Sequence, residues 1–245
     1  MGKKRKEKKS ESNSRVYRVA YALLAGFVGK LFRIHVTGRE NEPEDGGFIV
    51  CANHTSATDP VVLCYAFKKH QVRFMAKKEL FKVPVVSGIV KMLGAFPIDR
   101  EGKDVGTIKN CVSMISEGKC MGIFPQGHRY PEVDPRSTPK KNGAALIATK
   151  ANATVIPAYI VRKNNKFIFF RKTWVIIGKP ISFESFGYDP EASGEYARIT
   201  DHVFNEICLL GESFDEKSAK AHNKEVKKAK KAEKKANKKA AREQR

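Results

Sequence analysis

Short apolar runs alternate with longer segments of helical period through most of this chain. Residues 47–53, GFIVCAN, predict a buried strand. DPVVLCYAFKKH after it predicts a helix with Asp59 at the N-cap and Pro60 at N1. VRFMAKKELF reads as a short strand and a turn of helix, VVSGIVKML as an apolar helix, and GAFPIDR as a strand entering a loop. Val105, Ile108, Cys111, Val112 and Ile115 recur at helical spacing, and Gly118 ends that helix. CMGIFP is the next strand, and residues 126–141 form a polar loop with three prolines. GAALIATKAN reads as helix and ATVIPAYIV as strand. KFIFF and TWVIIGKP read as a hairpin through KNN, and a last helix covers roughly residues 190–211. Such alternation predicts an α/β domain, its mostly parallel central sheet flanked by helices.

The two ends differ from this middle. Residues 1–18 carry a net charge of +6 and residues 216–245 a net +9, leaving +6 of the total +21 between them. These basic arms seek polyanions, either anionic lipid headgroups or nucleic acid. Behind the first arm, VAYALLAGFV looks like a signal peptide, but Lys30 and Arg33 stand where a cleavage region is small and uncharged. The run is also about half the roughly 20 residues that span a bilayer. At helical spacing Val16, Ala20, Leu23, Leu24, Phe27, Val28 and Leu31 share one face, opposite Arg15, Arg18 and Arg33. An apolar face with basic flanks predicts an amphipathic membrane-interface helix, a basic leader included, over residues 1–33. The domain proper is expected over 34–212. The Lys/Ala-rich tail, 213–245, has no apolar stripe and is expected to be disordered or partly helical. The five cysteines form no CxxC pair and sit among apolar residues, which predicts buried free thiols.

The chemistry-bearing residues gather at strand ends, where open α/β sheets collect their ligands. NHTSATD follows the first strand with His54 and Asp59, FPIDR ends a second with Arg100, and FPQGHR ends a third with Gln126, Gly127, His128 and Arg129. VIPAYI is a strand that carries a proline. In that order the four blocks resemble the glycerophosphate acyltransferase superfamily, in particular the 1-acylglycerol-3-phosphate acyltransferases, whose pattern runs N-H-x4-D, a Gly/Phe/Arg block, F-P-E-G-T-R and a proline-bearing strand. The resemblance covers roughly residues 30–200.

What the resemblance implies is acyl transfer from a thioester, on acyl carrier protein or acyl-CoA, to the free hydroxyl of a lysophosphatidate, giving phosphatidate. His54 would be the general base, since imidazole titrates near neutrality and an alcohol is a poor nucleophile. Asp59 would fix the imidazole tautomer and stabilise the imidazolium. Arg100, Lys103 and Arg129, with the backbone at Gly127, would bind the acceptor phosphate. Asn53 would shape the loop. Gln126 and His128 stand where the family has Glu and Thr. Glutamine keeps the shape and loses the charge, and His128 adds a donor, a third cation when protonated, or a second acid/base group. No metal or bound cofactor is implied, because the acyl donor is a cosubstrate. The expected location is the cytoplasmic face of the cell membrane, peripheral or monotopic, with anionic lipid as the partner surface and nucleic acid disfavoured. A non-catalytic binder of anionic lipid or nucleic acid would explain the arms and leave the four blocks without a purpose. Glycerol 3-phosphate or another lysolipid is the alternative acceptor.

Overall fold

The computed structural model describes residues 26, 28–98 and 105–243. Arg100, Lys103 and most of the leader and interface helix lie outside them. Of that helix, residues 28–31 are helical, and Val28 and Phe32 are buried in the domain.

Seven strands form one sheet in the order β1-β7-β6-β2-β5-β3-β4. They are β1 Ile34–Thr37, β2 Ile49–Ala52, β3 Val72–Lys77, β4 Phe96–Ile98, β5 Cys120–Ile123, β6 Val155–Val161 and β7 Thr173–Ile177. The five strands from β6 to β4 are parallel, and β7 pairs antiparallel with β6, carrying β1 parallel to itself at the edge. The expected mostly parallel sheet is therefore present, with a reversed pair at one side. Every residue of β2 and β5 is buried, as strands covered on both faces require.

Alternation along β2 sorts the core. Val50 and Ala52 face one apolar cluster with Val62, Leu63 and Phe67 from helix α1 (Asp59–Ala66) and its C-cap. Ile49 and Cys51 face the other cluster, covered by α3 (Val105–Ser116), α4 (Gly143–Ala151) and α5 (Glu195–Glu212). The short α2 (Pro84–Met92) lies between β3 and β4 in sequence. Pro157 is tolerated inside β6 because the ladder to β7 covers only Ala158–Val161, leaving the proline one residue outside it. All five cysteines are buried free thiols. Among the described residues no helix is long and apolar enough to cross a membrane.

Three local expectations are corrected. Thr58, not Asp59, is the N-cap of α1, so Asp59 opens the helix and Pro60 follows it. KFIFF is not a strand: β7 pairs with β6 itself, and residues 162–172 form the connection between them. A short continuous apolar run such as Phe167–Phe170 cannot distinguish a strand from a loop that presents aromatics to its surroundings. The last domain helix starts at Glu195, after the glycine at 194 with φ 81°, rather than near 190. The tail is helical over Glu216–Glu243, α6. The tail begins against β1, where Asn223 donates to the Val36 carbonyl at 2.9 Å.

Because β6, β2 and β5 are adjacent and parallel, their carboxyl ends open on one side of the sheet. The loops after them carry Arg162, His54 and Gln126. Sequence positions more than a hundred residues apart are thereby brought together.

Candidate active site

The loop after β2 is held before any reactive group enters. Asn53, fully buried, spans to β6: its Nδ2 donates to the Ile160 carbonyl at 3.1 Å, and its Oδ1 accepts from Ile160 N–H at 2.7 Å. This amide continues the β2–β6 ladder one step past the strand end. Asn53 thereby ties the start of the loop to β6.

His54 comes next, and four contacts fix it. Its ring lies over Phe124 with centroids 3.9 Å apart and planes 9° from parallel. Its backbone N–H donates to Gln126 Oε1 at 2.6 Å, and its carbonyl accepts from Tyr130 N–H at 2.9 Å. Its Nδ1 is 2.8 Å from Asp59 Oδ2. The imidazole is mostly buried, with 15% of its side-chain surface exposed.

Asp59 is buried and fully used. Oδ2 also accepts the N–H groups of Thr55 at 2.7 Å and Ser56 at 2.8 Å, and Oδ1 accepts from Arg162 Nη1. The carboxylate thus organises the loop that precedes it, which is why it does not cap its own helix. Burial alone would raise its pKa. The His54 hydrogen bond, the charges of Arg162 and His54 and the Ser56 amide overcome that and hold the carboxyl below the usual 3.8. An ionised carboxylate only accepts, so the proton on Nδ1 belongs to His54, and in the neutral ring Nε2 carries the lone pair. The stability that ionised Asp59 contributes is fully present above about pH 4 and is lost as pH falls below 3.8 through its depressed native pKa.

Arg162 was not among the residues picked out by motif. It directly follows β6, is 6% exposed, and spreads its guanidinium over Asp59 Oδ1, Thr55 Oγ1 at 2.8 Å and Thr58 Oγ1 at 3.3 Å. Its Cζ lies 5.3 Å from the centre of the Phe167 ring. One signal was available: an arginine directly at the end of an apolar run, at the strand end where ligands collect. A buried arginine needs an anion.

The Glu-to-Gln departure has a structural account. Gln126 is 1% exposed. Its oxygen takes the His54 amide, while Nε2 donates to Thr138 Oγ1 at 2.8 Å, which in turn donates to the Pro135 carbonyl at 2.6 Å. Both halves of the amide are engaged, so the loop is held without a buried charge. Gln126→Ala leaves the His54 N–H and Thr138 without this partner. An unmet buried group costs about 1–3 kcal/mol, so a thermal melt is expected to show a drop of several degrees. An unchanged melting temperature would contradict this assignment.

Gly127 has φ 70° and turns the chain back, its N–H bonded to the Phe124 carbonyl at 2.9 Å. His128 and Arg129 then project as exposed side chains, and neither makes an ion pair with a described residue. The Tyr130–His54 bond ties this segment to the histidine loop. The structure brings His54, Asp59 and Gln126 into contact, ties Asn53 to β6, and sets Gly127, His128 and Arg129 on the adjoining turn. Cys51, three residues before His54, is enclosed, and burial pushes its thiol up to about 12, which leaves it protonated at neutral pH. Among the described residues no group of three His, Cys, Asp or Glu side chains is arranged to hold a metal ion.

Comparisons with known proteins show the family. The Acyltransferase family model matches residues 33–161, a span that begins before β1 and ends with β6. The chain is 32% identical over 185 residues to the 1-acyl-sn-glycerol-3-phosphate acyltransferase of Bacillus subtilis, covering 75% of this chain and 90% of that one. It is 35% identical over 147 residues to the enzyme of the same name from Streptococcus pneumoniae, covering 57% and 53%. Its fold is similar to that of the 1-acyl-sn-glycerophosphate (LPA) acyltransferase PlsC from Thermotoga maritima, with a TM-score of 0.59 at 23% identity over 83% of this chain and 86% of that one. A family match over more than half its length, with a relative matched almost end to end, makes this chain a member of the Acyltransferase family.

Proposed function

We propose that this acyltransferase moves an acyl group from acyl carrier protein or acyl-CoA to the free hydroxyl of 1-acyl-sn-glycerol 3-phosphate, forming phosphatidate. The observation that carries the reading is the His54–Asp59 pair. A proton held on Nδ1 by a buried, ionised carboxylate leaves Nε2 as a base at the carboxyl end of the sheet. The names of the relatives support the choice of acceptor.

In this mechanism Nε2 takes the proton of the acceptor hydroxyl as its oxygen attacks the thioester carbonyl. The tetrahedral intermediate collapses with cleavage of the C–S bond. The imidazolium then returns the proton to the departing sulfur, so the products are an ester and a thiol. Asp59 steadies the imidazolium while it lasts. The transfer is direct, since the Cys51 thiol is enclosed and protonated.

Arg129 and the Gly127 turn would receive the acceptor phosphate, joined by Arg100 and Lys103. His128 would add a donor beside them. A charge-assisted contact is worth about 1.5–3 kcal/mol. Arg129→Ala is accordingly expected to raise KM for lysophosphatidate roughly tenfold to a hundredfold, with a smaller change in kcat. A variant whose KM stays at the wild-type value would remove Arg129 from the phosphate site. Assigning the donor takes labelled acyl-acyl carrier protein and acyl-CoA in parallel: labelled phosphatidate from either supports the reading, and none from both overturns it. The enzyme would work at the cytoplasmic face of the cell membrane, peripherally attached.

A further inference from the structure

The connection between β6 and β7 begins at the site with Arg162 and packs Phe167 against the core, but its tip is left outside. Ile168, Phe169 and Phe170 stand 38%, 57% and 65% exposed in succession. Three consecutive large apolar side chains in solvent are costly unless something covers them. Phe170 is also held at φ 61°, a conformation that bulky residues rarely adopt. Its N–H bonds to the Leu31 carbonyl, and its own carbonyl accepts from Arg33 Nη1, both at 3.3 Å. The backbone is thus braced from the N-terminal segment while the ring is turned outward.

The charges carried by this segment itself are of one sign. Residues 161–172 contain five Lys or Arg and no acid. Lys166 and Lys172 have carboxylate partners in Glu132 and Glu216. Lys163 and Arg171 are exposed without an ion pair to any described residue, and Lys30 and Arg33 are exposed nearby on the incoming segment. An apolar tip inside a cationic ring is the chemical complement of an anionic lipid surface, whose phosphates lie just above its acyl region.

We propose that residues 166–171 form a wedge that seats the protein on an anionic bilayer, with Phe169 and Phe170 in the headgroup–acyl boundary and Lys163, Arg171 and Arg33 on lipid phosphates. The wedge reaches the site by contact. Phe167 packs on Phe32 and Phe169, with centroids 5.2 and 5.0 Å apart, and on the Arg162 guanidinium that holds Asp59. Seating the tip therefore brings the carboxyl ends of β2 and β6 to the depth where a lysolipid presents its headgroup. The inference deepens the proposed function, from which it takes the lipid acceptor, but it concerns binding, so the two can fail separately.

The test is sedimentation of the full chain with phosphatidylcholine vesicles containing about a third phosphatidylglycerol. Phe169→Ser/Phe170→Asn removes the apolar tip, and asparagine accepts the left-handed backbone at 170. Partitioning should fall at least about tenfold while the melting temperature does not fall. Lys163→Glu/Arg171→Glu, at two exposed positions, should weaken binding to these vesicles and leave the weak binding to pure phosphatidylcholine unchanged. Phe169→Trp should show a blue-shifted emission with vesicles against the constant signal of the buried Trp174. Wild-type partitioning by both double variants would overturn the proposal. So would loss of self-association without loss of partitioning, since the patch would then join two copies of the chain. Loss of partitioning by a protein that never acylates lysophosphatidate would keep the wedge and overturn the acceptor.

Discussion

His54→Ala is expected to lower acyl transfer by about a thousandfold or more while leaving vesicle binding and the melting temperature near wild type. The reasons lie in where the ring sits. Among the described residues at the end of β2, its imidazole offers Nε2 to take a proton, because Nδ1–H is committed to Asp59. Removing a positioned general base costs roughly a hundredfold to ten-thousandfold, and the Phe124 face that restrains the ring adds an orientation that solvent water cannot reproduce. The fold should tolerate the change, since the backbone bonds of residue 54 to Gln126 and Tyr130 use no side-chain atom of the histidine. Initial rates with a labelled acyl thioester and lysophosphatidate decide the matter. A variant within tenfold of wild type would exclude the base role.

Asp59→Asn should damage both activity and stability, and the two losses can be separated. Asparagine cannot carry the charge that steadies an imidazolium, and it can present an N–H to His54 where an acceptor is needed. Turnover is expected to fall at least about a hundredfold. The same change strands Arg162, 6% exposed, opposite a neutral group. Breaking a buried pair by neutralising one member costs about 3–5 kcal/mol. Replacing both members, as Asp59→Asn/Arg162→Met, removes the stranded charge and should recover much of the stability. It should not recover turnover. Recovered turnover in the double variant would mean that Asp59 serves only to neutralise Arg162.

That pair also marks where sequence reading stopped. The order of strands and helices was legible because buried parallel strands read as unbroken apolar runs, and FIVCA and CMGI are such runs. His54 and Asp59 are legible through the four blocks of the resemblance, and the fold brings Nδ1 to Oδ2 at 2.8 Å across four intervening residues. Arg162 was missed because its partner lies 103 residues earlier, and only the adjacency of β2 and β6 brings them together. Asp59 was read as a helix cap because Asp-Pro favours helix starts. In the fold, the amides of Thr55 and Ser56, the His54 ring and Arg162 claim its oxygens first. KFIFF was read as a strand because exposed aromatics and buried ones look alike in sequence. The question raised by Gln126 could be answered only in three dimensions, where its two ends reach a backbone amide and a hydroxyl.

The measurement that bears most directly on the central claim is acyl transfer by the wild-type protein to lysophosphatidate and, in a parallel tube, to the matching monoacylglycerol, which has the same hydroxyl and no phosphate. The account predicts labelled phosphatidate in the first tube and little product in the second, because His54 supplies the base and the cationic turn beyond Gly127 selects the phosphate. Equal rates with both acceptors, or no phosphatidate with either acyl donor, would contradict it.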